Sequence, residues 1–215
     1  MMDSLSMLTE VASRLRLGIP CVLADQSPCL GGSHRVFKII FVDSVQWAAR
    51  VSDDSFNWKN ELRAVRQLRH IKKQRPMIKA PDLFVDEEYP VVYSEWVSGK
   101  PLAIWNFQIP LLKRQSLLVD LADFLLQLWT TPVPSALAQE KSRLYSTWLT
   151  ESLDRGLRRT LRGTARWGNA INYLIMRSMI PDYAAKYDGY SDIGFAHGDL
   201  NADNIMKSEE FHLTG

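Results

Sequence analysis

Three residues within Phe195-Ala196-His197-Gly198-Asp199-Leu200-Asn201-Ala202-Asp203-Asn204-Ile205-Met206 have the types and spacing to do chemistry. Asp199 follows His197 by two positions and Asn204 follows Asp199 by five, the layout H-x-D-x-x-x-x-N. That layout suits phosphoryl transfer, in which a carboxylate orients an attacking hydroxyl and takes its proton while an amide holds magnesium on nucleotide phosphates. Asp199 fits the first role and Asn204 the second. His197 fits a structural part better, bonding backbone around the loop. Asp203 reads as a solvated neighbour, because the five-residue spacing selects Asn204. The apolar residues on both flanks can anchor the ends of the loop in a core and fix the polar groups between them.

Such a loop needs elements that hold a nucleotide against it. The first half of the chain reads as strands around one helix. Cys21 to Leu30 is a strand candidate ending in Gly31-Gly32-Ser33; Arg35 to Val42 follows, and Asp43-Ser44 turns the chain into Val45 to Val51. A double glycine between strands lets backbone N–H groups approach phosphate oxygens closely, and it is also an ordinary hairpin turn. Asn57 to Lys73 reads as a helix with Leu62, Val65, Leu68 and Ile71 on one face and Glu61 beside it. Beyond Pro76 and Pro81, strands are expected over Leu83 to Asp86 and Pro90 to Trp96. Three strands, a helix and two strands match the small lobe of the protein-kinase-like fold.

Val97-Ser98-Gly99-Lys100-Pro101-Leu102 breaks the composition and divides the chain into residues 1–97 and 98–215. Beyond it the periodicity turns helical. Leu111 to Trp129 carries Leu111, Leu118, Leu121, Ala122, Leu125 and Leu128 as its expected apolar stripe; Trp148 to Leu161, whose helical pattern Gly156 weakens, and Ala170 to Met179 are further helix candidates.

Composition bounds the partners. Apolar residues make up 46% of the 215 and charged residues 23%, which is ordinary for a globular protein. A net charge of +2 gives no reason to expect nucleic acid or an anionic membrane. Cys21 and Cys29 are too few for a disulfide scaffold and form no metal cluster with histidine, so a reducing cytoplasm is expected. The sequence has no signal-peptide pattern and no apolar run long enough for a membrane span. Arg155, Arg158, Arg159, Arg162 and Arg166 form a basic run that reads as a solvated helix face, with an anion site as the alternative. Trp129, Trp148 and Trp167 read as core.

With both halves in view, the chain from about Val22 onward resembles the aminoglycoside phosphotransferase/choline-kinase-like family. His197-Gly198-Asp199 is that family's version of the loop, and Tyr93-Ser94-Glu95-Trp96-Val97-Ser98-Gly99-Lys100-Pro101-Leu102 resembles its hinge. The resemblance implies an α+β, two-lobed, protein-kinase-like fold with a five-stranded antiparallel small lobe and a mainly helical large lobe. It implies ATP and Mg2+ as cofactors and a small-molecule hydroxyl acceptor. Glu95 to Val97 would meet the adenine, and Gly31, Gly32 and Ser33 would lie over the phosphates. Arg50 stands where the family's phosphate-gripping Lys is expected, and Glu61 is its implied partner; taken alone, either could be a surface charge. A second metal-binding Asp is expected on the hairpin after the loop. Ile205-Met206-Lys207 and Phe211-His212-Leu213 can form that hairpin, but no such Asp occurs up to Gly215. The expectation is therefore a C-terminally truncated, inactive phosphotransferase, with a non-catalytic nucleotide-binding remnant as the alternative.

Overall fold

The alternating residues of the first hundred positions pair into an antiparallel sheet. A computed structural model describes residues 4–30, 34–52, 58–135, 144–165, 168–189 and 194–215. Strands β1 (Cys21–Leu23), β3 (His34–Phe41), β4 (Gln46–Ser52), β6 (Val91–Glu95) and β5 (Leu83–Val85) lie in that spatial order. Strand β2 (Cys29–Leu30) pairs with β3 alongside β1, since Cys21 opposes Phe41 and Cys29 opposes Val36. The strand expected over Cys21 to Leu30 is thus two short pieces on one edge. Ala24 still donates to the Lys38 carbonyl at 2.9 Å before the chain leaves that edge at Asp25-Gln26-Ser27-Pro28, turn-forming residues whose proline lacks an N–H.

Alternation sorts the side chains between the two faces of the sheet. Ile39, Phe41, Trp47, Ala49, Val91 and Tyr93 share one face and are buried against Leu8, Val11 and Ala12 of helix α1 (Ser4–Leu15). The Trp47 ring stacks on Phe84 at 4.2 Å and meets Phe41 edge-on at 5.0 Å. The Tyr93 hydroxyl donates to the Leu8 carbonyl at 3.1 Å, tying α1 to the sheet. The opposite face carries Val36, Lys38, Ala48 and Arg50, with Val36 paired to Arg50 and Lys38 to Ala48.

Helix α2 (Trp58–Gln74) buries Val65 and Ile71, and Glu61 sits in its first turn. Lys72 reaches Asp82 at 2.7 Å and the Ala80 carbonyl at 2.8 Å, fixing the end of the helix to the approach of β5. Past the sheet, β7 (Lys100–Pro101) pairs with β8 (Met206–Lys207). Helix α3 (Leu111–Trp129) spans its expected residues but buries a different stripe. Leu117 and Leu128 are buried with Leu121 and Phe124 partly so, whereas Leu111 and Leu118 are exposed. Leucines on several sides of this helix left the buried face undecided by periodicity alone.

Met1–Thr131 together with Phe195–Gly215 form one compact unit, and Pro132–Gly194 form another. The second contains α4 (Tyr145–Leu161), α5 (Ala170–Ser178) and α6 (Ile180–Tyr183). α4 runs through Gly156, where the Tyr173 ring of α5 packs so close that a Cβ would come within 2.5 Å of it. Arg177 pairs with Asp154 at 2.7 Å, and Asp188 accepts from the Ser146 hydroxyl at 2.5 Å and from its amide at 2.7 Å, which together hold its carboxyl below the usual range. Arg155, Arg158, Arg159 and Arg162 are exposed; Arg166 and Trp167 lie outside the described residues. Trp129 and Trp148 are about half exposed, at 59% and 52%, and are not core residues. Among the described residues no helix is long and apolar enough to cross a membrane.

Candidate active site

The loop from Phe195 to Ile205 is anchored where the sequence supplies apolar residues. Phe195 and Ile205 are both 7% exposed, and the stretch between them faces solvent. Phe195 packs beside His70 of α2, while Ile205 joins Leu102, Leu117 and Leu213. Gly198 adopts φ +80°, a left-handed conformation natural to glycine, and turns the chain into Asp199. Asn201 then accepts from the N–H groups of Asp203 and Asn204 at 3.0 and 3.3 Å, capping a single 3-10 turn over Ala202–Asn204.

These turns gather three side chains. Asn204 donates from Nδ2 to the Asp199 carbonyl at 2.8 Å and to Asp199 Oδ2 at 2.9 Å. Asn201 donates to Asp199 Oδ1 at 3.1 Å, so each carboxylate oxygen carries one amide donor. With its nitrogen engaged, Asn204 has the amide oxygen left to meet a cation. Asp203 is exposed and points to no partner in this network. His197 lies edge-on to Phe124 with 6.3 Å between ring centroids. Asn201 was not singled out from the sequence. Its signal is local, a capping-type Asn immediately before Ala-Asp-Asn.

A hairpin follows the loop. Lys207 bridges Leu213, Ser208 donates to His212 at 2.9 Å, and Met206 donates to the Gly215 carbonyl at 2.7 Å. Asp120 of α3 holds the returning strand by accepting from the Leu213 amide at 2.9 Å. The hinge is joined to this hairpin. Gly99 has φ +108°, and a Cβ there would lie 2.4 Å from the Lys207 carbonyl oxygen. Thr214 donates to the Ser98 carbonyl at 2.6 Å. Within the hinge, Glu95 donates its amide to Asp82 at 3.1 Å and Trp96 donates to Gln46 at 3.0 Å. Among the described residues, the Val97 N–H that follows them has no backbone acceptor. The Glu95 side chain accepts from the Asp82 amide at 3.0 Å.

On the sheet, Arg50 Nη2 lies 3.7 Å from Glu61 Oε1. The His34 ring stands beside both, with Nε2 3.2 Å from Glu61 Oε1 and 3.1 Å from Arg50 Nη2. His34 was not a sequence candidate. Gly31, Gly32 and Ser33 lie outside the described residues.

A nucleotide-bound magnesium ion keeps several waters and takes one or two protein ligands beside phosphate oxygens. The Asn204 amide oxygen next to the Asp199 carboxylate fits one such position. Among the described residues no three His, Cys, Asp or Glu side chains gather into a metal-binding group.

No protein-family model matches the chain, and no curated protein sequence matches it. Solved structures do. A macrolide 2'-phosphotransferase of type I superposes with a TM-score of 0.59 over 100% of this chain and 70% of its own, at 18% identity. The phosphotransferase APH(2'')-IIa, solved with streptomycin and ATP, gives a TM-score of 0.66 over 99% of this chain and 69% of its own, at 13% identity. An ethanolamine kinase from Plasmodium vivax gives 0.55 over 87% of this chain and 53% of its own, at 15% identity. The architecture is that of the protein-kinase-like phosphotransferases, an α+β fold with an antiparallel sheet and a helical remainder. Within that class, the chain has the fold of the aminoglycoside phosphotransferase/choline-kinase-like family.

Proposed function

We propose that this chain belongs to that family and is built as an ATP-dependent phosphotransferase for a hydroxyl group of a small molecule. The observation that carries the reading is the Asp199–Asn204 pair, a carboxylate held by amides on an exposed, anchored loop. In this reading Asp199 accepts the proton of the acceptor hydroxyl, and the Asn204 oxygen holds magnesium. Magnesium supplies charge neutralisation between the phosphates. Arg50, steadied by Glu61, grips the phosphates, and Gly31, Gly32 and Ser33 cover them. The backbone from Glu95 to Val97 receives the base, with the Val97 N–H as donor. Residues 1–97 are the nucleotide lobe and residues 98–215 belong to the acceptor lobe. The partners are ATP, Mg2+ and the acceptor, with no nucleic acid or membrane, and the free thiols of Cys21 and Cys29 suit a cytoplasmic setting.

The loop offers the metal the Asn204 amide oxygen, and magnesium prefers carboxylate oxygen to a neutral amide. A neutral ligand at that position favours a second reading, a nucleotide-binding protein without catalysis. Thermal shift with Mg-ATP, combined with ATP consumption over amino-alcohol and aminoglycoside acceptors, separates them. Stabilisation with turnover supports the enzyme, stabilisation alone supports the binding protein, and no stabilisation rejects both.

A further inference from the structure

We propose that His34 is a positioning residue of the phosphate site, relaying the hold of Glu61 to Arg50; the inference rests on the nucleotide reading above. His34 opens β3 and follows Gly31-Gly32-Ser33 directly in the sequence. Its Nε2 lies 3.2 Å from Glu61 Oε1, and Arg50 Nη2 lies 3.1 Å from that Nε2 and 3.3 Å from Nδ1. The ring thus touches the acid and the guanidinium at once. An imidazole can donate from one ring nitrogen to the carboxylate and offer the lone pair of the other to the guanidinium.

Burial assigns each member of the relay its part. The His34 and Glu61 side chains are 14% and 13% exposed, whereas Arg50 is 48% exposed. The covered acid is therefore held mainly by the covered imidazole, and its direct approach to Arg50 is the longer contact, at 3.7 Å. Arg50 carries five N–H donors and spends few of them here, so its fork can be offered to an external phosphate while one edge stays fixed. An ammonium in its place would have to divide three donors between acid and ligand. The imidazole thus acts on the nucleotide through Arg50, and it matters for a ligand that has phosphates and not for one that lacks them.

The test titrates the 215-residue protein with Mg-ATP and, separately, with adenosine, in the wild type, His34→Gln and His34→Leu, with circular dichroism to verify folding. A glutamine amide can donate to Glu61 and accept from Arg50; leucine fills the space and does neither. The expected result is a loss of about tenfold in Mg-ATP affinity for His34→Leu, the scale of one charge-assisted hydrogen bond, with adenosine affinity unchanged. His34→Gln should stay within about threefold of wild type, as a substitution that keeps both hydrogen bonds. If His34→Leu does not fold, His34→Met takes its place. Equal losses for glutamine and leucine, or parallel losses of ATP and adenosine, overturn the relay and leave His34 as packing. A wild type that binds both ligands, with variants indistinguishable from it, overturns the relay alone. A wild type that binds neither overturns the nucleotide reading and the relay with it.

Discussion

Asn204 spends its amide twice on one residue, donating to the Asp199 carbonyl at 2.8 Å and to the Asp199 carboxylate at 2.9 Å. The two side chains proposed to handle metal and proton are therefore locked to each other before any ligand arrives. This preorganisation separates the roles of the two neighbouring asparagines. Asn201→Ala removes a capping acceptor and should cost about 1 kcal/mol of stability. Asn204→Ala should cost less, since its partners face water, but it should abolish the magnesium dependence of ATP stabilisation. Thermal melts with ATP, with and without magnesium, read both effects. A magnesium-dependent shift that survives in Asn204→Ala removes that residue as the metal ligand.

Gly99 joins the hinge to the hairpin through a contact that no side chain can share. At Gly99 both φ +108° and a Cβ position 2.4 Å from the Lys207 carbonyl oppose substitution, whereas Gly18 has φ +86° and open space around it. Gly18→Ala should cost about 1 to 2 kcal/mol, the backbone penalty alone. Gly99→Ala must in addition move a backbone strand, and its cost should exceed about 3 kcal/mol. Chemical denaturation of both variants tests the difference. Equal losses would mean that the hinge and hairpin separate easily.

Tyr93 ties α1 to the sheet from within the core, and burial pushes its phenol well above the usual range. The neutral phenol is thus favoured in the folded state. As pH climbs past about 10, the unfolded chain releases this proton first, so stability present below that pH declines above it. Tyr93→Phe should cost about 1 kcal/mol at neutral pH through the lost hydrogen bond to Leu8, and should flatten the alkaline decline. Urea midpoints at neutral and alkaline pH provide the measurement. An unchanged alkaline slope would place the responsible group elsewhere.

The local parts of this architecture were legible in the sequence, and the non-local parts were not. The spacing from His197 to Asn204 identified the loop, and its apolar flanks correspond to buried Phe195 and Ile205. Helix α2, expected over Asn57 to Lys73, is described over Trp58–Gln74, because periodicity and flanking prolines act within one segment. Helix α1 is absent from the sequence expectations although Leu8, Val11 and Ala12 carry a helical apolar spacing; its purpose is visible only once the sheet face it covers exists. The buried side of α3 was misassigned for a related reason, since only the partner surface chooses Leu117 over Leu118. His34 carries no local signal in the sequence because its meaning depends on strand register. Pairing of Val36 with Arg50 sets His34 beside a cation 16 positions away and an acid 27 away.

Arg50 offers the sharpest separation between stability and function. Its side chain is 48% exposed and its approach to Glu61 is 3.7 Å, so the ion pair contributes within the range of about 0 to 1 kcal/mol typical of solvated pairs. Arg50→Met should therefore leave the unfolding midpoint nearly unchanged. A phosphate gripped by a guanidinium gains charge-assisted hydrogen bonds, and their loss should weaken Mg-ATP binding by about tenfold or more. Arg50→Lys should fall between the two, since it keeps the charge but loses the fork. Glu61→Gln should resemble a milder Arg50→Met, because the amide still occupies the site beside His34 without the charge that orients it and Arg50. Calorimetric titration with Mg-ATP, paired with denaturation of each variant, gives both numbers on one sample. If Arg50→Met destabilises the protein by more than about 2 kcal/mol while Mg-ATP affinity holds, Arg50 belongs to the architecture of the sheet and not to the nucleotide.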